Sequence, residues 1–427
     1  MRTAGHLRCW FGLGLHSHYY MGWWLALGVV LTPLTALAAP PTYEVHFTVQ
    51  TGKRARQYTP VWAEVELPAP LSKVPPEALS VQLVEAVSGQ TVPAQITPAP
   101  EAQRKAVRVW WILPACPAGE ERRYRAVFQR RSREEKAPAP HFHWRDNPGQ
   151  YLDLLWDDRP VLRYMYAYDP QRREETYKTY HHLFDPAGKR LLTKGPGGLY
   201  PHHRGLFIGW NRLRYDGKTG DWWHMKPNGT CQRHERFLRQ EAGPVFARLR
   251  CLIHWNDPQG QPVLEEEREV TVFRQPAPTM LVEFVSQLHS QRGEVRLEGD
   301  KNHGGFQFRA ANEVSQRQGE TRYLFPPGWP GPDKTVGLPW AAMSFALGDS
   351  RFTVAHFNHP ANPRPTDYSA DRKYGRFGAF FKYTLPPDQT LTLRYRLFVQ
   401  EGEVPPAEVL EGRYRDFVDP PPVVVQP

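Results

Sequence analysis

The chain has 427 residues, with 54 Lys and Arg against 44 Asp and Glu, 40% hydrophobic and 13% aromatic residues, 43 Pro and 33 Gly. That apolar content supports buried cores and excludes a chain disordered throughout, while Pro at roughly one residue in ten removes amide donors and excludes long helical bundles. The formal charge of +10 is basic, but Lys and Arg are dispersed and no helix-turn-helix, zinc-finger or RNA-recognition pattern accompanies them, so nucleic acid is not an expected partner.

In chain order, the uncharged apolar run GWWLALGVVLTPLTALA at 22–38 follows Arg2 and Arg8 and ends in Ala36-Leu37-Ala38. This is the pattern of a signal peptide over 1–38, which predicts an extracytoplasmic (periplasmic or secreted) protein. No later apolar run is long enough to span a bilayer, so no stable membrane span is expected after cleavage. Cys116, Cys231 and Cys251 follow the leader, with no CxxC among them. A hairpin turning at Glu241-Ala242-Gly243-Pro244 brings Cys231 and Cys251 towards each other; a disulfide and two buried thiols both remain open.

Apolar and polar residues alternate over Tyr43–Val49, Val81–Val84, Val107–Trp110 and Tyr124–Phe128, the period of half-buried strands. Residues 39–136 therefore read as a small N-terminal β-sandwich. The charged run Arg130–Lys136 and the APAP at 137–140 form a stiffened connector. From 141 to 402 the strand signals continue, at Ala247–Ile253, Met280–Phe284 and Leu391–Val399, predicting a larger antiparallel β-sandwich of jelly-roll or supersandwich type. Residues 403–427 predict a short helix at 406–417, with Pro406 in its first turn, and a frayed tail. The fold class is thus all-β with few short helices.

Four Gly- and Pro-punctuated segments concentrate His, Asp and Arg: YPHHRGLFIGW (200–210), GDWWHMKPNGTCQRHE (220–235), GDKNHGGFQFR (299–309) and HFNHPANPRP (356–365). Loops on a rigid β-scaffold are where binding sites are built, and imidazole suits proton transfer near neutral pH or metal ligation. His202 and His203 are adjacent, so in an extended segment they point to opposite faces. Trp210, Trp222 and Trp223 offer ring faces for a sugar, against a stronger expectation that they pack in the core.

These segments, together with YKTYHHLFDPAGKRLLTKGPGGLYPHHRGLFIGW at 177–210 and KYGRFGAFF at 373–381, resemble the secreted bacterial PmoA-like family, labelled "methane oxygenase PmoA", over about residues 150–400. The resemblance implies a β-rich fold with His/Arg/Asp loops and an association with carbohydrate processing. It carries His202, His203, Asp221, Asp300 and His303 as catalytic candidates, and Arg204, Trp223, Arg309, His359 and Asn362 as residues holding a small-molecule or glycan ligand. The alternatives are a metal-dependent oxidoreductase, with a transition metal on His203, His224, His234 and His303, and a non-catalytic carbohydrate-binding module. Methane oxidation itself does not follow, because a membrane-embedded site needs spanning helices that this chain lacks.

Overall fold

The computed structural model describes residues 41–99, 106–132, 140–225 and 229–426; the expected leader and most of the connector lie outside them. The chain is all-β, and the predicted strands appear with extended ends: Thr42–Gln50, Leu79–Glu85, Ala106–Leu113, Glu121–Arg130, Phe246–Asn256, Thr279–Ser290 and Thr390–Glu401. Among the described residues no helix is long and apolar enough to cross a membrane.

A five-stranded sheet and a three-stranded sheet form the small sandwich. Alternation buries Val45, Phe47 and Val49 from one strand against Val109, Trp111 and Leu113 from another. The tail is not frayed: Val423–Gln426 pairs antiparallel with Thr42–Gln50, completing the sheet edge. Three consecutive β-branched residues, Val423, Val424 and Val425, outweigh the prolines before them. The predicted helix runs Ala407–Val418 with Pro406 as its N-cap, burying Leu410, Arg413 and Tyr414. Its Asp416 accepts hydrogen bonds from Arg56 (2.7 Å) and Thr59 (2.7 Å) of the small sandwich, with Arg56 and Asp416 both buried.

Two eight-stranded sheets form the larger sandwich. The first runs Asp367–Arg372, Arg376–Phe380, Gly304–Arg309, Leu206–Trp210, Tyr180–Leu183, Arg159–Met165, Tyr151–Trp156, Phe142–Asn147. The second holds the long hairpins from Cys231–Ala242 through Thr279–Ser290, then Thr390–Glu401. Side chains of period two divide the first sheet. Leu206, Ile208, Trp210, Phe306, Phe308 and Phe377 enter the core between the sheets. Phe207, Gln307, Arg309 and Arg376 therefore fall on the opposite, outer face, where Phe207 packs with Tyr180 and Trp223. Residues 41–427 cluster as one compact unit.

Cys231 and Cys251 are separate buried thiols. Within their hairpin Cys231 lies opposite Asn256 and Cys251 opposite Phe237, so the register holds them several residues apart along the strands.

Candidate functional site

Two turns of identical spacing, Asp221-Trp222-Trp223-His224 and Asp300-Lys301-Asn302-His303, lie over the outer face of the first sheet. In the first, Asp221 Oδ1 accepts the backbone N–H groups of Trp223 and His224 (2.8 Å each), and Oδ2 lies 2.7 Å from His224 Nδ1. In the second, Asp300 Oδ1 accepts the Asn302 N–H (2.8 Å), and both carboxylate oxygens lie 3.1 Å from His303 Nδ1. An ionised carboxylate only accepts, so each Nδ1 carries a proton, and in the neutral form of either ring the lone pair is on Nε2. Burial raises both Asp carboxyls, but the hydrogen bonds from His224 and His303 outweigh it and hold each below its ordinary value.

Backbone geometry puts the turns there. A Cβ on Gly209 would sit 2.2 Å from the Trp222 carbonyl oxygen, so only glycine lets the first turn lie against the strand Leu206–Trp210. Gly305, at φ +80°, leads from the second turn into the strand Gly304–Arg309, where a Cβ would meet the Ala379 carbonyl at 1.9 Å. The ring centroids of His224 and His303 are 5.4 Å apart, and His202 lies 4.6 Å from His224. The side chains of His224 and His303 are 33% and 42% exposed, so both are open to a ligand.

Beneath them His203 is 3% exposed, boxed by Trp223 (5.4 Å), Phe207 (5.9 Å), Tyr200 (5.3 Å) and Tyr374 (6.2 Å, stacked). Neither of its ring nitrogens has a partner. Burial, then the charge of Arg376, holds its pKa well below the ordinary imidazole value. His202 is pushed down to about 2, by burial first and Lys178 second. Both rings are neutral at physiological pH.

The structure thus gathers His202, His203, Asp221, His224, Asp300 and His303. Other candidates are placed differently. Arg204 is fully buried, stacks on Tyr177 (4.1 Å) and donates to the carbonyls of Pro201 (3.1 Å), Glu175 (2.8 Å) and Glu174, pinning the 200–204 loop. Arg309 donates to the carbonyls of Tyr374, Gly375 and Leu199. Trp210, Trp222 and Trp223 are fully buried, so none presents a ring face to a sugar. His359 packs edge-on to Phe417 (5.2 Å), and Asn362 bonds Asn358 (2.7 Å) and the Arg394 carbonyl (2.8 Å), bracing a strand away from the histidines. His234 sits on the second sheet against Tyr164, Tyr166 and Phe237, apart from His203, His224 and His303. Among the described residues no group of three or more His, Cys, Asp or Glu is arranged to hold a metal ion, so the expected four-histidine ligand set is not assembled.

Sequence reading missed Lys178, Lys194, Tyr200 and Arg376. Lys178 is 1% exposed, with Nζ donating to the carbonyls of Trp223 (2.7 Å) and His202 (3.1 Å). Arg376 donates to Tyr374 Oη (3.0 Å), Gln307 (2.8 Å) and Ser369 (3.0 Å). The repeated D-x-x-H spacing was the signal available for the paired turns; nothing local marks the lysines.

A cavity of about 480 Å³ lies elsewhere, lined by Ile112, Phe142, Trp156, Val272 and Phe273, and contains no predicted site residue. A second, of about 640 Å³, is bordered by Lys189, Arg190, Lys194 and Asn312.

No curated protein matches the chain. Among solved structures it is similar to the GalM/aldose epimerase homologue from C. elegans, at 10% identity and a TM-score of 0.27, over 62% of this chain and 99% of that one. A likeness at that level identifies no shared activity. The profile that matches is a family of unknown function rather than a PmoA-like one, which corrects the motif-based resemblance and removes the methane-oxygenase label with it. Matched over residues 151–413, this chain belongs to the family of unknown function DUF6807.

Proposed function

We propose that the protein is an enzyme that moves protons on a polar small molecule of the carbohydrate class, with His224 and His303 as acid and base. The observation that supports this reading is the pair of Asp-held imidazoles, 5.4 Å apart and open to solvent. Fixing the tautomer with a carboxylate leaves Nε2 basic and stabilises the imidazolium that forms when it takes a proton. With two such rings beside one ligand, one accepts a proton as the other supplies one. Tyr200, 44% exposed and 5.0 Å from Tyr374, offers the aromatic face that a sugar ring stacks on. His202 and His203 are the neutral floor of the site.

Deuterium wash-in from D₂O, followed by NMR over a panel of reducing sugars and sugar acids, tests the reading. The expected result is exchange at one carbon position, slowed about 10²–10⁴-fold in His224→Asn and in His303→Asn. Exchange at the full rate in both folded variants, or none with the folded parent chain, overturns it.

A further inference from the structure

We infer that the ligand is a hydroxylated small molecule bearing an oxyanion, a sugar acid or a sugar phosphate, rather than a neutral sugar; this takes its location from the acid/base reading and adds the substrate class. Four basic side chains, Lys178, Lys194, Arg309 and Arg376, lie around the His203 box, each at most 5% exposed, and burial holds Lys178 well below its ordinary value and takes Lys194 down to about 7. Every hydrogen bond described for them ends on a neutral acceptor. Lys194 Nζ donates to the carbonyls of Gly197 (2.5 Å), Leu199 (2.9 Å) and Tyr200 (3.1 Å), and the other three use carbonyls, hydroxyls and an amide oxygen. The nearby carboxylates, Asp221 and Asp300, are hydrogen-bonded to His224 and His303, and their charge reaches Lys178 and Arg376 only through space.

Arg309 and Arg376 lie directly opposite each other on neighbouring strands, a like-charge pairing that a sheet disfavours. Burial, with the charge of Arg376 adding, pushes Arg309 down to about 10. Desolvated guanidinium groups hydrogen-bonded only to neutral acceptors are costly, and an anion beside them offsets that cost. A second observation is independent of charge. His203 Nδ1 and Nε2, Trp223 Nε1 and Arg309 Nε are buried without partners in the same box. Indole and guanidinium N–H groups only donate, and a ring nitrogen of imidazole always has one N–H to give, so their complement is an oxygen-rich acceptor.

Isothermal titration calorimetry with D-glucuronate, D-galacturonate and glucose 6-phosphate, against D-glucose and D-galactose, tests this. The expected result is that at least one anionic probe binds about tenfold or more tightly than its neutral counterpart, with affinity falling as salt is raised. Lys194→Gln, checked for folding by circular dichroism, is expected to remove most of that preference, read as the ratio of anionic to neutral affinity. The carboxylate and phosphate arms separate the two sources of the oxyanion. Neutral sugars binding as tightly as every anionic probe, or no anionic probe binding the folded protein, overturns the inference. Exchange on neutral sugars without anion preference sinks this inference and leaves the acid/base reading standing; anion binding without exchange does the reverse.

Discussion

At the residue scale the role of each imidazole depends on what it is bonded to. His224 and His303 are oriented by carboxylates, whereas His203 has no partner and His202 is held at about 2, so exposure and hydrogen bonding divide four neighbouring rings into two roles. Asp221→Asn leaves the turn's backbone acceptor in place but lets His224 take the other tautomer. Exchange is then expected to fall by about 10³-fold with little change in Tm, measured by wash-in and thermal melting side by side. A Tm loss that accounts for the whole defect would make Asp221 a purely structural residue. The histidines and aspartates were legible in the sequence because their chemistry and short spacing are local. The uses of Arg204 and Arg309 were not, because the carbonyls they bond belong to residues distant in sequence, such as Glu175 and Tyr374.

At the scale of elements, the site depends on a turn lying flat on a strand. Gly209→Ala forces a Cβ against the Trp222 carbonyl, so the chain is expected to fold while exchange is lost, as wash-in and circular dichroism would record together. Retained exchange would show that the turn has room to move. The helix Ala407–Val418 matters differently. Asp416→Ala strands the buried Arg56 and removes the acceptor of Thr59, and a loss of about 3–5 kcal/mol in urea denaturation is expected. The strand Thr390–Glu401 was legible from its period-two start, Leu391, Leu393 and Tyr395 against Thr392 and Arg394, but from Arg396 to Val399 both faces are buried, Phe398 packing in one cluster with Leu410 and Tyr414. The closing strand Val423–Gln426 was not, since its partner Thr42–Gln50 lies at the other end of the chain and proline-rich surroundings mimic a loose tail.

For the whole molecule, burial of neutral histidine sets the response to acid. Burial first holds His182 and His234 at about 4, His356 at about 3 and His202 at about 2. Their unfolded counterparts titrate near ~6.5, so the unfolded chain binds more protons between that pH and about 4. The stability these groups lend is complete above ~6.5 and is lost as pH falls, by up to ~1.4 kcal/mol per pH unit for each. Urea denaturation at pH 7.5 and 5.0 is expected to differ by at least ~3 kcal/mol, and equal stabilities would contradict the neutral burial of these rings. The sequence showed that histidines cluster; it did not show which of them are buried, because that depends on residues from distant segments closing over them, such as Tyr374 over His203 and Phe306 beside His356. Whether His224 and His303 act as one unit is measured by the wash-in rate of the double variant His224→Asn/His303→Asn. Groups working on the same proton transfer are not additive, so the double variant is expected to be within about tenfold of the slower single variant. Losses that multiply would show two independent contributions and contradict the paired site.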